Sequence, residues 1–238
     1  DRLLWSDEAL AYRDCIHADG SPSETFSQPT QLMAVWGGVA QGPRDAACWN
    51  HVLNPPADWP RINGPHVMGF ALDIAVQRGN WVWALDRLRD WWGRMADQGP
   101  GTCYEYAFFD RPRPTRSFCH GFSTWPAVLL GRDALGVHPA SPGYAVVNLN
   151  PRLDILASAS GLRRTPRGEV RVSWTHNDRG EASLRVSIPP NTHARLTPPK
   201  GYRLDVEGVK PDPQSILIYP GDQEIRAYRQ RFADVSEQ

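Results

Sequence analysis

Glu105 stands in the run GTCYEYAFFD, a carboxylate set among Cys103, Tyr104, Tyr106, Phe108 and Phe109. An ionised acid in such a setting must be solvated in a cleft or paired, because burying the charge alone is expensive. Two readings follow. Glu105 is either the wet face of a loop, paired with Arg111 or Arg113, or a general base whose aromatic surroundings offer stacking faces to a sugar. His120, in FCHGFSTW, lies at an expected helix start, where its ring would donate to a bound hydroxyl or carboxylate or serve only the local structure. His66 and Asn63, in RINGPHVMGF, occupy a second helix entrance, and Asp45 with His51 forms a weaker pair. Most of the ten tryptophans sit at core-compatible positions. Trp36, Trp81 and Trp125 lie near turns or helix starts and are the candidates to line a pocket.

Composition narrows the chemistry. The chain of 238 residues carries 26 basic and 26 acidic groups, so it offers no electrostatic footprint for nucleic acid or an anionic membrane. A neutral or small polar partner is expected. Cys15, Cys48, Cys103 and Cys119 show neither CxxC spacing nor histidines at zinc-site intervals, so no metal is expected; they read as small buried residues, with one disulfide open to them. No nucleophile elbow, P-loop, HExxH or dinucleotide fingerprint is present, and no cofactor is implied. No run of apolar residues is long enough to span a membrane. The N-terminus lacks both a signal-peptide pattern and an initiator Met, which suggests a processed or truncated product.

The elements that must position these residues change character along the chain. Trp81, Ala84, Leu85, Leu88, Trp91, Trp92 and Met95 recur at helical spacing, with Asp86, Arg87, Arg89, Asp90 and Arg94 on the other side. Weaker helical patterns cover Leu3 to His17, Glu24 to Val39, Pro43 to Leu53 and Pro65 to Arg78, broken by ADGSPS, AQGP and NPPADWP, as antiparallel helical hairpins would require. A last helix should begin after His120 and stop at Gly136. Beyond Gly143 the period drops to two. EVRVSWTH, NDRG and EASLRVSIP form a hairpin candidate, and further strands are expected over Tyr202 to Val209, Ser215 to Tyr219 and Glu224 to Phe232. Helices followed by strands, without alternation, imply an α+β chain of two domains, residues 1–140 helical and residues 141–238 of strands.

The run SFCHGFSTWPAVLLGRDALGVHPASPGYAVVNLNP resembles the end of the catalytic domain of bacterial α-L-rhamnosidases of glycoside hydrolase family 78. In that family a Cys-His-Gly-aromatic-Ser motif opens a late barrel helix, and a Leu-Gly-Val and a Pro-Gly lead into a C-terminal β-sandwich. TCYEYAF takes the place of the family's Thr-x-x-Glu segment. The resemblance implies that Glu105 is the general base and His120 a substrate-contacting histidine, with Cys119, Gly121 and Ser123 at motif positions of structural role. Tyr104 stands where the family commonly has Trp, and Phe122 replaces a usual Trp. These exchanges keep an aromatic face while altering pocket width, so they bear on which sugar is bound more than on the reaction.

The fold implied is the second half of an (α/α)6 toroid followed by an antiparallel β-sandwich, and the substrate a carbohydrate. Inverting hydrolysis needs a general acid and a general base about 6.5 to 9.5 Å apart. Glu105 would supply the base. The family's acid lies in an Asp- and Arg-rich segment of the earlier half of the barrel, and no such run precedes Glu105 here. The resemblance therefore implies an incomplete site, completed by the missing N-terminal part of the same polypeptide or by a companion chain. Binding of carbohydrate without catalysis, and a six-hairpin glycosidase of other sugar preference, are the alternative readings. Export would suit a polysaccharide-degrading enzyme, with any signal lying upstream of Asp1.

Overall fold

A computed structural model describes residues 3–206 and 215–229. The chain is mixed α+β and divides into two compact units, Asp1–Pro126 and Ala127–Gln238.

The first unit opens with a departure from the helical pattern of Leu3 to His17. Strands β1 (Trp5–Ser6) and β2 (Ala11–Tyr12) form a small antiparallel hairpin instead. Leu10 takes a positive φ of 49° at its turn, and the Trp5 and Tyr12 rings meet edge to face at 5.0 Å. The deciding partner lies far along the chain. Gln31, fully buried, accepts from the Tyr12 backbone N–H and donates to its carbonyl, both at 2.8 Å, and so satisfies an extended backbone as a neighbouring strand would. Gln28 does the same for two other segments, donating to Val52 O at 2.7 Å and accepting from Ile62 N at 3.0 Å.

The remaining helices follow the sequence pattern closely. Helix α1 (Gln28–Trp36) starts at Ser27, whose hydroxyl accepts from Thr30 N, with a proline in the first turn. Helix α2 (Pro43–Leu53) packs on α1, and α3 (Pro65–Gln77) on α4 (Trp81–Leu88). A π-helical turn, Arg89–Gly93, continues α4 into α5 (Arg94–Gln98). That wider turn lets two consecutive indoles, Trp91 and Trp92, both face inward with Met95. A 3-10 turn at Gly121–Ser123 leads to α6 (Trp125–Leu129), a second π turn at Leu130–Ala134, and the expected stop at Gly136, where φ is +73°.

The second unit carries two sheets around one core. Strands β3 (Val137–Pro139), β4 (Val146–Leu149), β8 (His193–Leu196) and β10 (Ile216–Ile218) order as β10-β8-β4-β3, all antiparallel except the parallel β4–β8 pair. Strands β5 (Ser158–Thr165), β6 (Gly168–His176), β7 (Ala182–Ile188), β9 (Tyr202–Asp205) and β11 (Gly221–Arg229) order as β5-β6-β7-β11-β9, antiparallel throughout. The expected hairpin is β6–β7. Val170, Val172 and Trp174 face Val186, Leu184 and the residues of the other sheet in a single cluster, each side chain contributing about 1.5–3 kcal/mol by burial. Residues 207–209 and 230–232, the ends of two expected strands, lie outside the described residues.

Candidate functional site

The segment bearing Glu105 folds back on itself without becoming regular strand. Glu105 N donates to Ser117 O at 3.0 Å, Phe108 N to Pro114 O at 2.9 Å, and His120 N to Cys103 O at 2.9 Å. The Thr102 hydroxyl bonds Phe118 O, and Thr115 Oγ1 accepts from Tyr106 N at 3.1 Å. This pairing ties the Glu105 and His120 backbones into one loop. Ala107 N donates to Asn63 O at 2.9 Å, fastening the loop to the entrance of α3, where His66 stands. Asn63, His66, Glu105 and His120, read separately along the sequence, are thus brought to one place.

The Glu105 side chain is half-buried, and among the described residues it makes no hydrogen bond or ion pair. The arginines considered as its partners are engaged elsewhere. Arg113 donates to Thr115 O at 3.2 Å, and the Arg111 guanidinium lies over Phe108 at 4.3 Å. Arg116 covers Tyr106 at 5.6 Å and Arg94 covers Phe109 at 4.2 Å, so the cations of this loop cap aromatic faces. A half-buried carboxylate left unpaired by the protein is the state in which a water or a hydroxyl becomes its partner.

A continuous series of rings runs from α1 through α3 to the turn that carries His120. Trp36 meets Phe70 at 5.0 Å, Phe70 meets His66 at 5.2 Å, His66 meets Phe122 at 5.3 Å, and Phe122 meets His120 at 5.5 Å. Trp125 joins at Phe70, 5.3 Å away. Trp36 is 56% exposed and Phe122 70% exposed, large apolar areas for a surface without a partner. Phe70, which links the two ends, went unnoticed in the sequence because it reads as one more helical core position. His66 Nδ1 lies 3.2 Å from Phe122 O. A carbonyl can only accept, so Nδ1 carries the proton and a neutral His66 presents Nε2 as an acceptor.

Other expected residues stand elsewhere. Tyr104 is 2% exposed, with its ring edge on Phe118 at 4.9 Å; it supports the loop from beneath and offers no open face. Gly99 permits this, since a Cβ there would fall 1.6 Å from the Tyr104 hydroxyl. Trp81 is buried in the helical core. Asp45 forms a two-pronged ion pair with Arg78, both contacts at 2.8 Å, and His51 packs on Trp59 and bonds Ala9 O, so that pair does not assemble. The four cysteines are free thiols, and no group of metal-binding side chains is found among the described residues. No helix among them is long and apolar enough to cross a membrane.

Similarity to known proteins bears on this arrangement. Residues 136–211 match the family model for the bacterial α-L-rhamnosidase C-terminal domain. An α-L-rhamnosidase of Alteromonas sp. (strain LOR) is 38% identical over 71 residues, 29% of this chain and 8% of that protein. The family 78 rhamnosidase of Bacillus sp. GL1 superposes with a TM-score of 0.74 at 34% identity, covering 82% of this chain and 21% of the other. The Streptomyces avermitilis α-L-rhamnosidase, solved with L-rhamnose, shares the fold at 20% identity with a TM-score of 0.61, over 90% of this chain and 22% of that one. The chain thus spans about a fifth of the length of these solved relatives, and the resemblance read from the Cys-His-Gly segment is borne out.

Proposed function

We infer that this chain corresponds to the C-terminal part of a family 78 α-L-rhamnosidase, and we propose that it forms the general-base half of a glycoside hydrolase site. The helical unit is then the second half of an (α/α)6 toroid, and the strand-bearing unit a β-sandwich that is antiparallel but for the β4–β8 pair. The reading rests on one observation above others: Glu105 is half-buried and without a hydrogen-bond or ion-pair partner among the described residues, on a loop fastened to the entrance of the helix that carries His66 and Phe70 of the ring series. An exposed ring series stacks on the apolar face of a sugar, while His66 and His120 address its hydroxyls. Glu105 draws a proton from water attacking the anomeric carbon on the face opposite the leaving group. Positioning by the rings and imidazoles fixes the sugar while the water is activated.

The acid comes from elsewhere. Asp45 is held by Arg78, Asp86 by Arg89, and Asp90 by Arg87 and Arg94, so these helical carboxylates serve structure. That commitment favours a second reading, in which the chain by itself binds carbohydrate without cleaving it. The two separate on hydrolysis of an aryl α-L-rhamnoside, measured with this chain alone and with the upstream segment restored. Activity only in the extended protein, reduced by about 10²- to 10⁴-fold in Glu105→Gln, is expected. Full activity in Glu105→Gln would sink the base assignment.

A further inference from the structure

The five-stranded sheet has a second face, turned away from the core, whose chemistry the site above does not use. Its register aligns Ser160, Ser173, Arg185 and Glu224 in one row across β5, β6, β7 and β11. The adjoining row sets Arg171 beside Ser187 and Asp222. Short hydroxyl side chains form a floor and long charged ones form walls, enclosing a depression of about 680 Å³. That volume lies in the range of small-molecule sites, about 300–1,000 Å³.

The walls are held in place. Arg171 is ion-paired with Glu169, Arg185 lies 3.9 Å from Glu224, and Ser183 Oγ is 3.3 Å from the same carboxylate. Two guanidiniums face two carboxylates in the lining, so the depression has no net charge and gives a polyanion no purchase. Leu162, 38% exposed, is the large apolar residue of the lining, too little for a lipid or for the buried anchor of a protein interface. What remains is a surface without net charge on which hydroxyls, guanidiniums and carboxylates are interspersed. They repeat across the strands at about 4.8 Å, close to the length of one sugar ring.

We propose that this face binds a segment of neutral oligosaccharide running across the strands, an accessory site distinct from the ring series of the helical unit. The assignment depends on the chemistry of the sheet and not on Glu105, so a failure of the base assignment leaves it standing. The test is native affinity electrophoresis of the full chain in gels containing soluble neutral polysaccharides (galactomannan, arabinogalactan, mixed-linkage β-glucan), with polygalacturonate as the anionic comparison. Retardation by a neutral polymer is expected. It should weaken about tenfold in Ser173→Arg, which fills the floor, and in Arg185→Ala, an exposed wall position whose loss leaves the core untouched. Near-ultraviolet circular dichroism establishes that both sheet variants remain folded. The proposal is overturned by retardation in polygalacturonate alone, by no retardation in any neutral gel, or by retardation that survives both sheet variants. It is equally overturned if Ser173→Arg instead abolishes self-association in sedimentation, since the occupant is then a second copy of the chain.

Discussion

At the scale of single residues, the polar groups of the helical unit divide by whether the protein itself satisfies them. Gln31 and Gln28 hold backbone groups, Gln31 Oε1 also accepting from the Cys48 thiol at 3.5 Å, whereas Glu105 and the ring nitrogens of His120 have no hydrogen-bond partner among the described residues. His66 is intermediate, with Nδ1 fixed by the Phe122 carbonyl and Nε2 left to a ligand. Under the function proposed, and with the upstream segment restored, His66→Phe should therefore raise KM about tenfold with little change in melting temperature, and nitrogen-15 NMR should find the Nδ1-protonated tautomer. The thiols divide in the same manner. Burial, then the nearby Asp45 carboxylate, pushes the Cys48 thiol from its ordinary value near 9.0 up to about 11. Its protonated form is favoured in the fold, so its contribution to stability is complete below the unfolded value and is lost as pH rises toward the folded one. Native alkylation at pH 8 should label exposed Cys15 and Cys119 while sparing Cys48, and a Cys48→Ala background should flatten the fall in stability above pH 9.

At the scale of elements, two glycines show how closely the packing is set. A Cβ on Gly69 of α3 would fall 1.9 Å from Trp125 Cδ1, so the indole lies directly on the helix backbone. Gly69→Ala should displace Trp125, cost about 1–3 kcal/mol in thermal unfolding and break one branch of the ring series, read as a shift in tryptophan emission. Gly136 combines a positive φ with a Cβ position 2.1 Å from the Asn150 backbone, so Gly136→Ala should lose well over 1 kcal/mol in the same assay and destabilise the entrance to β3. The sequence made much of this legible. Helices α2 and α3, the β6–β7 hairpin and the Gly136 stop follow from periodicity, prolines and turn residues that act locally. Leu3 to His17 did not, because its extended form depends on Gln31, a partner that no local window contains. The burial of Tyr104 and the bridging place of Phe70 are not legible in the sequence for a related reason. Burial is decided by what folds over a ring, and Phe118 against Tyr104, like Trp36 and Trp125 against Phe70, comes from outside any local window.

At the scale of the whole molecule, the two units differ in how completely they close. The strand-bearing unit surrounds one continuous core, in which both sheets meet around Trp174, Leu184 and Ile225. The helical unit leaves Leu10, Met33, Trp36, Val39 and Phe122 exposed, and an apolar hollow of about 350 Å³ lies between the N-terminal hairpin and α1, lined in part by Met33 and Val39. Part of that surface serves a sugar under the function proposed. Leu10, Met33 and Val39 are outside the ring series, and aliphatic groups of this kind gain about 25 cal/mol per Å² when covered. The chain spans 21% of a solved relative's length, and under the function proposed an upstream segment would cover them. Restoring the upstream segment should then lower binding of an apolar-surface dye such as ANS several-fold and raise the melting temperature of the helical unit, while the strand-bearing unit melts unchanged. The same measurement on Met33→Ser should bring dye binding down in the short chain and cost stability only in the extended one. If the extended protein binds as much dye as the short chain, these aliphatic residues are not a seam within the polypeptide, and the general acid that the proposed function requires is then to be sought on a companion chain.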